Sequence, residues 1–309
     1  MKAEARARRE PRLWVFNLDA EVELERSGPY QTTKQLARAL APVLVHAQRL
    51  MLPEDVMLHD QAVLTRPASD AVSRPNSSVP RLGRCWCPTL SATKSLRRAG
   101  ALPEPSPSLE ILRRVNHRRF ALELGGGAPG ARYVQTTGEL EVTLREENVE
   151  VWLCKRPFGF AGRGQRRIVR QLSADDRRWL DDSLRLGGLL IEPWLALVCE
   201  LGLHGYLAED GRVEFGRICS QRTDASRCWV ASELLPASTL EPAQTRHLYE
   251  RAERVAEELT TAGYFGPFGI DAYLWRSASG KIELNTLGEL NARYSMGYAV
   301  GMAELLPFL

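Results

Sequence analysis

The stretch that decides the fold lies in the middle of the chain, where residues 149–165 read VEVWLCKRPFGFAGRGQ. Apolar residues alternate from Val149 to Leu153, which predicts a strand, and a period of two places Lys155 on the same face at the strand end. A lysine that points inward needs an anion as its partner. The glycines between Gly159 and Gly164 would let backbone N–H groups approach a phosphate, and Arg163 beside them could neutralise its charge. The segment fits neither the Walker nor the Rossmann pattern, and an ordinary glycine-rich hairpin tip is an equal alternative.

A second set of polar residues lies near the C-terminal end. In the predicted strand Phe268–Trp275, Asp271 is a carboxylate among mostly apolar residues. If the later segment is extended, Glu289, Asn291 and Arg293 project from one face. Two carboxylates and a carboxamide form an oxygen site suited to Mg²⁺, which takes one or two carboxylates together with phosphates and water. An arginine two residues further can hold an anionic substrate through its planar guanidinium.

The metal motif occurs twice, because Glu283-Leu-Asn285 has the same form as Glu289-Leu-Asn291. A four-residue hairpin loop over Ser277–Gly280 would turn Glu283 to the face opposite Asp271 and favour the later motif. A slip of one residue in register reverses that inference. The sequence favours Glu289 and Asn291 but leaves both motifs open.

A third segment, Glu192-Pro-Trp-Leu195, lies between the other two, and Glu200 follows eight residues after Glu192. A strand that leads into a proline-fixed crossing offers free backbone groups to a nucleobase. A later acid can accept hydrogen bonds from ribose hydroxyls. A structural proline would explain the segment equally well.

The composition is that of a globular protein with a substantial core. The chain has 309 residues, and 41 basic against 38 acidic residues give a net charge of only +3. This small excess argues against a dedicated nucleic-acid or membrane-surface binder. The basic cluster Arg113, Arg114, Arg118 and Arg119 has no interleaved stacking aromatics beyond Phe120, so RNA binding is not expected. Six irregularly spaced cysteines and the lack of a long apolar run predict a cytoplasmic protein with reduced thiols.

The N-terminal part predicts an α/β lobe. A strand is expected at Leu13–Leu18, a helix at Thr33–Leu40 and a second strand at Val43–Val45. Proline and serine between Arg66 and Pro80 indicate a surface loop. A basic helix is expected over Leu109–Leu124.

The three motifs, in this order and spacing, resemble those of ATP-grasp proteins. The resemblance covers about Leu109 to Gly297; the metal motif is similar to that of biotin carboxylase, and the length to that of D-alanine-D-alanine ligase. It implies an α/β (α+β) fold with an N-terminal α/β lobe over residues 1–108. A small lobe with the phosphate loop would cover 109–190, and a large lobe with the metal site would cover 191–309. The antiparallel sheets of these two lobes would hold ATP between them.

The resemblance also implies roles for individual residues. Nucleotide-binding residues would be Lys155, the loop residues Gly159, Gly162, Arg163 and Gly164, the adenine segment with Glu192, Trp194 and Leu195, and the ribose acid Glu200. Metal ligands would be Asp271, Glu289 and Asn291, and Lys155, Arg163 and Arg293 would act in catalysis. The family's other nucleotide lysine is missing, because Val115–Phe120 carries arginines at that place. Arg119 or Arg118 would have to substitute for it.

The implied activity is that of an ATP- and Mg²⁺-dependent ligase, which activates a carboxylate as an acyl phosphate and joins it to an amine. A kinase that releases a phosphorylated product and an inactive nucleotide-binding module are the alternatives. The expected partners are small-molecule or peptide carboxylate and amine substrates. A homodimer is a fair expectation from base rates alone.

Overall fold

The structure is a computed structural model, and it describes residues 8–26, 28–59, 62–65, 80–146, 148–160, 162–224 and 229–309. The surface loop predicted over Arg66–Pro80 lies outside these ranges, except for Pro80. Within them the chain forms three sheets of five, six and four strands. In the part of the chain so described, every helix is too short or too polar to cross a membrane.

The first sheet belongs to the N-terminal lobe. Its elements are β1 Arg12–Val15, α1 Ala20–Glu25, α2 Lys34–Ala47, a 3-10 helix Gln48–Leu50, β2 Val56–His59, β3 Ala62–Thr65, β4 Leu82–Cys85, α3 Leu90–Arg98 and β5 Leu102–Pro103. The strand order is β3-β2-β1-β4-β5. Strand β1 is parallel to β2 and β4, and β3 is antiparallel to β2. The lobe is therefore α/β, as the sequence predicts.

The prediction of a strand at Val43–Val45 is wrong, because these residues belong to α2. Leu36, Leu40, Val43 and Ala47 recur at spacings of four, three and four residues, and all four contact the core. That period is helical, and it continues past Pro42 inside the helix.

The second sheet carries the glycine-rich loop. Its lobe consists of α4 Leu109–Asn116, α5 Arg118–Glu123, β6 Arg132–Val134, α6 Thr137–Leu144, β7 Val151–Lys155, β8 Gln165–Val169, α7 Ala174–Arg185 and β9 Leu189–Pro193. The order is β6-β9-β7-β8, with every neighbouring pair antiparallel. Trp152 and Cys154 are buried in a core with α6 and α7 residues, whereas Leu153 and Lys155 on the other face of β7 line a cavity.

The third sheet forms the large lobe. Its elements are β10 Ala196–Leu207, β11 Val213–Phe215, β12 Cys219–Thr223, β13 Trp229–Leu234, α8 Pro242–Thr261, β14 Gly266–Arg276, β15 Ile282–Asn291, α9 Tyr298–Gly301 and a 3-10 helix Leu306–Phe308. The order is β13-β12-β10-β14-β15, and β11 pairs with β10. All its strand pairs are antiparallel. Leu248, Ala252 and Val255 of α8 are buried in a core that this lobe shares with α4, α5 and the N-terminal lobe.

Candidate functional site

A cavity of about 210 Å³ lies between the four-stranded and the six-stranded sheet. Strands β7 and β9 contribute to one side of it, and β10, β12, β14 and β15 to the other. The sequence-predicted residues that line it are Arg118, Lys155, Gly159, Gly162, Glu192, Leu195, Glu200, Asp271, Glu289, Asn291 and Arg293. The fold thus brings the mid-chain lysine and the C-terminal acids, which are far apart in the sequence, into one cavity.

Lys155 stands at the end of β7 and contacts acids from both sheets. Its Nζ lies 2.7 Å from Glu192 Oε2 on the neighbouring strand β9 and 3.9 Å from Glu289 Oε2 on β15. The other carboxylate oxygen of Glu192 accepts a hydrogen bond of 3.0 Å from the backbone N–H of Ala128. The lysine side chain is 12% exposed, so its charge acts in a largely water-excluded place. It is therefore placed to exchange an acidic partner for a phosphate.

A break in the helix predicted over Leu109–Leu124 places Arg118 in the cavity. His117 has extended backbone (φ −74°, ψ 128°), which ends α4 and begins α5 in a new direction. The guanidinium of Arg118 donates to the carbonyl of Arg156 at 2.7 Å and to Glu289 Oε1 at 3.1 Å. Its side chain is buried, which makes Arg118 the second cation of the site.

Arg119 lies outside the cavity, and the prediction that put it at the nucleotide is corrected. Its guanidinium pairs with Glu123, one turn further along α5, at 2.9 Å, and the side chain is 51% exposed. Neighbouring residues on a helix project about 100° apart, so Arg118 and Arg119 cannot reach the same cavity.

The glycine-rich loop packs against Arg118. A Cβ at Gly159 would lie 2.6 Å from the carbonyl oxygen of Arg163 and 2.7 Å from an Arg118 nitrogen, so a side chain has no room there. Gly162 and Gly164 have φ of 75° and 74°, a conformation that favours glycine. Arg163 is exposed, and both it and Gly164 lie outside the cavity lining. Ala161, within the same loop, is outside the described residues.

Two carboxylates stand side by side across β14 and β15. Asp271 is the register partner of Glu289. Its Oδ1 accepts a hydrogen bond of 2.7 Å from Gln221, and its Oδ2 accepts one of 3.1 Å from Asn291. Burial and the neighbouring charge of Glu289 raise the pKa of Asp271 to about 6. Two adjacent carboxylates therefore share a place that favours a cation.

Glu289 connects these carboxylates to the basic side of the cavity. Burial alone would raise the pKa of Glu289, but the positive charges of Arg118 and Lys155 hold it below the usual range. Both cations pair with this one carboxylate. The cavity therefore has adjacent basic groups, suited to phosphate oxygens, and acidic groups, suited to a metal ion.

A bulge in β15 decides which acid faces Asp271. Tyr273 pairs with Asn285, and Asp271 pairs with Glu289, so three residues of β15 stand opposite the single residue between them on β14. The extra residues bring Glu289 forward to Asp271. Bulges of this kind re-aim side chains next to functional sites.

Glu283 lies further along the hairpin. The turn is one residue longer than the four-residue loop of the prediction, and Glu283 pairs with Trp275, four residues from Asp271 on the same strand face. At about 3.3 Å per residue this separates the two acids by about 13 Å. Asn285 donates to the carbonyl of Gly127 at 2.6 Å. The second motif, Glu289 and Asn291, is therefore the one that lines the cavity.

The donor set fits a magnesium ion. Asp271, Glu289 and Asn291 supply carboxylate and amide oxygens, which are ligands that Mg²⁺ prefers. Repulsion between the adjacent carboxylates contributes to the raised pKa of Asp271, and a divalent cation would remove it. Among the described residues no cluster of three or more His, Cys, Asp or Glu could hold a metal by itself. An ion here would complete its shell with phosphates and water, as Mg²⁺ usually does.

The predicted nucleoside contacts are divided between the cavity and the outside. Glu200 on β10 lines the cavity and accepts a hydrogen bond from the Thr223 hydroxyl. Leu195 also lines it, but the ring of Trp194 lies elsewhere, 5.0 Å beneath the guanidinium of Arg167. The prediction for residues 192–195 concerns their backbone groups, so the position of the Trp194 ring does not test it.

Arg293 reaches the cavity but is held by Glu21, an acid that the sequence analysis missed. The guanidinium pairs with this carboxylate and donates to the carbonyl of Tyr294 at 2.7 Å. Burial alone would lower the pKa of Arg293, but Glu21 raises it. Arg293 therefore anchors α1 at the cavity, and its contact with an anionic substrate stays a prediction.

Gln221 and Glu21 are the functional candidates that sequence reasoning missed. Gln221 becomes visible only once β12 is paired with β10. Glu21 carries a local signal, because it is a carboxylate between the apolar residues Ala20 and Val22, and such a position predicts a buried charge with a partner.

Comparisons with known proteins identify the fold. No family model matches the sequence, and no curated protein matches it. D-alanyl-alanine synthetase A from Vibrio cholerae is similar over 97% of this chain and 92% of its own, with 13% identity and a TM-score of 0.54. Biotin carboxylase from Campylobacter jejuni, in a β-γ-ATP complex, matches over 72% of this chain and 51% of its own, with 14% identity and a TM-score of 0.54.

A third similar structure holds MgADP. It is the biotin carboxylase domain of 2-oxoglutarate carboxylase from Hydrogenobacter thermophilus, solved with MgADP, ADP and bicarbonate. It matches over 72% of this chain and 50% of its own, with 14% identity and a TM-score of 0.53. The chain thus spans about half the length of the two carboxylase chains. At such identities, the likeness shows a shared fold.

Proposed function

We propose that this chain, which has the ATP-grasp fold, is an ATP- and Mg²⁺-dependent ligase that activates a carboxylate as an acyl phosphate and joins it to an amine. The observation that carries the proposal is the single cavity shared by Lys155, Arg118 and the adjacent acids Asp271 and Glu289. Catalysis of phosphoryl transfer rests on positioning and charge neutralisation, and these four side chains supply both.

The nucleotide would lie between the two antiparallel sheets. We assign the phosphates to Lys155, Arg118 and the backbone of Gly159 and Gly162, because both glycines line the cavity and Gly159 packs against Arg118 without a side chain. Phosphate oxygens would replace Glu192 as the partner of Lys155. We assign adenine to the backbone of residues 192–195.

Asp271, Glu289 and Asn291 would hold Mg²⁺, which supplies neutralising charge beside the transferring phosphoryl group. Gln221 fixes the orientation of Asp271 through its hydrogen bond of 2.7 Å. Glu200, oriented by the Thr223 hydroxyl, is assigned to the ribose. Arg293 acts as a positioning residue, because its ion pair with Glu21 fixes the chain directly after Asn291.

An acyl-phosphate trap tests the proposal without knowledge of the amine. The protein is incubated with ATP, Mg²⁺, hydroxylamine and a panel of amino acids, dipeptides and simple carboxylic acids, and hydroxamate and ADP are measured. A ligase gives hydroxamate with at least one carboxylate. Lys155→Ala should lower the rate about 10- to 100-fold, because one charged hydrogen bond contributes about 1.5–3 kcal/mol. Lys281→Ala, at an exposed hairpin turn, is the matched control.

The outcomes separate the ligase from its two alternatives. A phosphorylated product that hydroxylamine does not consume would identify a kinase. Binding of a non-hydrolysable ATP analogue without turnover on any substrate of the panel would identify a binding module. Equal activity of Lys155→Ala and the control would remove the assignment of the site itself.

A further inference from the structure

A second cleft, of about 500 Å³, lies on the other side of α5 from the nucleotide cavity. The end of α1, the helices α4 and α5, and residues near β6 and β7 line it. Among the described residues, the linings of the cleft and of the cavity share no member. The basic cluster of the sequence is divided between them, since Arg118 reaches the cavity while Arg113, Arg114 and Arg119 line the cleft.

The cleft carries an excess of positive charge. Its charged lining residues are Arg26, Arg113, Arg114, Arg119, Glu25 and Glu123. One pair cancels, because Arg119 holds Glu123 at 2.9 Å. Arg26 and Arg114 are exposed, and neither forms an ion pair with an acid in the described part of the chain. The guanidinium of Arg26 lies over the ring of Tyr30, 5.6 Å from its centroid. The cleft therefore has two guanidinium groups that lack an acidic partner among the described residues.

A third cation extends this excess. Arg113 donates to the backbone carbonyls of Leu24, at 3.0 Å, and Arg26, which fixes its guanidinium without neutralising it. Glu25 has a buried carboxylate oxygen without a hydrogen-bond partner, and burial raises the pKa of this acid. One acid can balance only one of the three arginines.

Three aromatic rings line the same cleft. The ring of His117 lies 5.5 Å from that of Tyr133 and 5.3 Å from that of Phe158, measured between centroids, and the planes are inclined by 51° and 85°. The Tyr133 hydroxyl donates to the carbonyl of Gly187 at 2.9 Å, and the guanidinium of Arg119 lies over this ring. Burial, then the charge of Arg119, lowers the pKa of His117, which favours its neutral form. A ligand can therefore place an apolar or planar body against this aromatic wall and its anionic groups on the arginines.

We infer that this cleft is a second ligand site, for a small polyanion that carries carboxylates or a phosphate beside an apolar or planar body. Guanidinium groups bind both kinds of oxyanion through paired hydrogen bonds, and the volume is typical of small-molecule sites. The inference goes beyond the ligase activity and does not depend on it. His117 and Arg119 flank Arg118, and Phe158 directly precedes Gly159, so an occupant touches the segments that shape the phosphate side of the cavity.

Site-resolved arginine modification tests the inference. The full chain is treated with p-hydroxyphenylglyoxal in the presence of citrate or of pyrophosphate, and each arginine is followed by peptide mass spectrometry. Sodium chloride at equal ionic strength is the blank. Arg97 and Arg98 on α3, two exposed arginines outside the cleft, are internal controls. Protection by citrate indicates a carboxylate site and protection by pyrophosphate a phosphate site; either result supports the inference.

Protection of Arg26 and Arg114 without protection of Arg97 and Arg98 is the expected result. No protection at the cleft, or equal protection at both places, would overturn the inference. In calorimetry, the double substitution Arg26→Gln and Arg114→Gln should weaken binding of the protecting anion at least about ten-fold, through the loss of charged hydrogen bonds. The double substitution Arg97→Gln and Arg98→Gln should leave it unchanged. Because the readout is specific to the cleft, failure of ATP binding at the cavity would not alter it.

Discussion

Replacing Gly159 with alanine tests whether the glycine-rich loop and Arg118 form one phosphate-binding unit. The new Cβ would lie 2.6 Å from the carbonyl oxygen of Arg163 and 2.7 Å from an Arg118 nitrogen, whereas ordinary contacts begin at 3.4 Å. One side must therefore move by about 0.7 Å (3.4 − 2.7). If Arg118 moves, the hydrogen bonds that hold its guanidinium, from Nη1 to the carbonyl of Arg156 at 2.7 Å and from Nη2 to Glu289 Oε1 at 3.1 Å, are disturbed.

If the displaced Arg118 loses one charged hydrogen bond to a nucleotide phosphate, the cost is about 1.5–3 kcal/mol. We expect the Kd of a non-hydrolysable ATP analogue, measured by calorimetry with Mg²⁺, to rise about 10- to 100-fold. The thermal midpoint reports whether the fold is retained. Gly138→Ala is the matched control, because a Cβ at this first-turn position of α6 meets nothing within 4 Å. If Gly159→Ala binds nucleotide as tightly as Gly138→Ala does, the loop does not position Arg118 for phosphate and the reasoning fails.

Three further predictions concern the metal site, the second cation and a buried histidine. Glu289→Gln should weaken Mg²⁺-dependent nucleotide binding at least about ten-fold, while Glu283→Gln changes it less than about two-fold; a larger effect of Glu283→Gln in calorimetry would reverse the metal assignment. Arg118→Gln should weaken nucleotide binding about ten-fold or more, whereas Arg119→Gln should leave it unchanged. Equal effects of the two substitutions would contradict the placement of Arg118 inside the cavity and Arg119 outside it. Burial lowers the pKa of His204 to about 4, so below pH 6.5 the unfolded state binds a proton that the folded state excludes. The free energy of unfolding therefore decreases as the pH is lowered. Between pH 7.5 and 5.5 the loss is about 1.3 kcal/mol in denaturant unfolding, and His204→Gln should remove it; an unchanged pH dependence in that variant would show that other groups cause it.

The ATP-grasp fold could be predicted because its motifs are local. Lys155 follows an alternating strand, and the parity of that strand correctly placed it on a face with Leu153. The order of the three motifs gave the resemblance to ATP-grasp proteins, and that resemblance implied two antiparallel sheets, which the structure contains. The period of a strand is visible in a short window, and the order of the motifs is visible along the chain, so neither requires knowledge of tertiary contacts.

Whether Arg118 or Arg119 reaches the cavity depends on the helix break at His117, which the residue pattern of the helix does not predict. A continuous helix over Leu109–Leu124 would have rotated Arg118 away from its observed direction. The break at His117 is stabilised by its own ring, which accepts a hydrogen bond of 3.1 Å from the backbone N–H of Arg119. Histidine is not a common helix cap, so its residue type did not predict a helix start at this position.

The metal motif shows how the motif that lines the cavity was favoured through an incorrect register. The predicted four-residue turn favoured Glu289, but the turn in the structure is one residue longer. Because side chains alternate between the two faces of a strand, this extra residue places Glu283 on the same face as Asp271. The bulge then brings Glu289 directly opposite Asp271, and Glu283 stays four residues along the strand. The longer turn and the bulge in β15 therefore act together, and neither can be recognised from the types of the residues involved. Because a glutamate at either position satisfies the same sequence pattern, only the pairing of β14 with β15 distinguishes the acid beside Asp271 from the acid further along the hairpin. The contrast between Glu289→Gln and Glu283→Gln is the measurement that tests which of the two acids binds the metal.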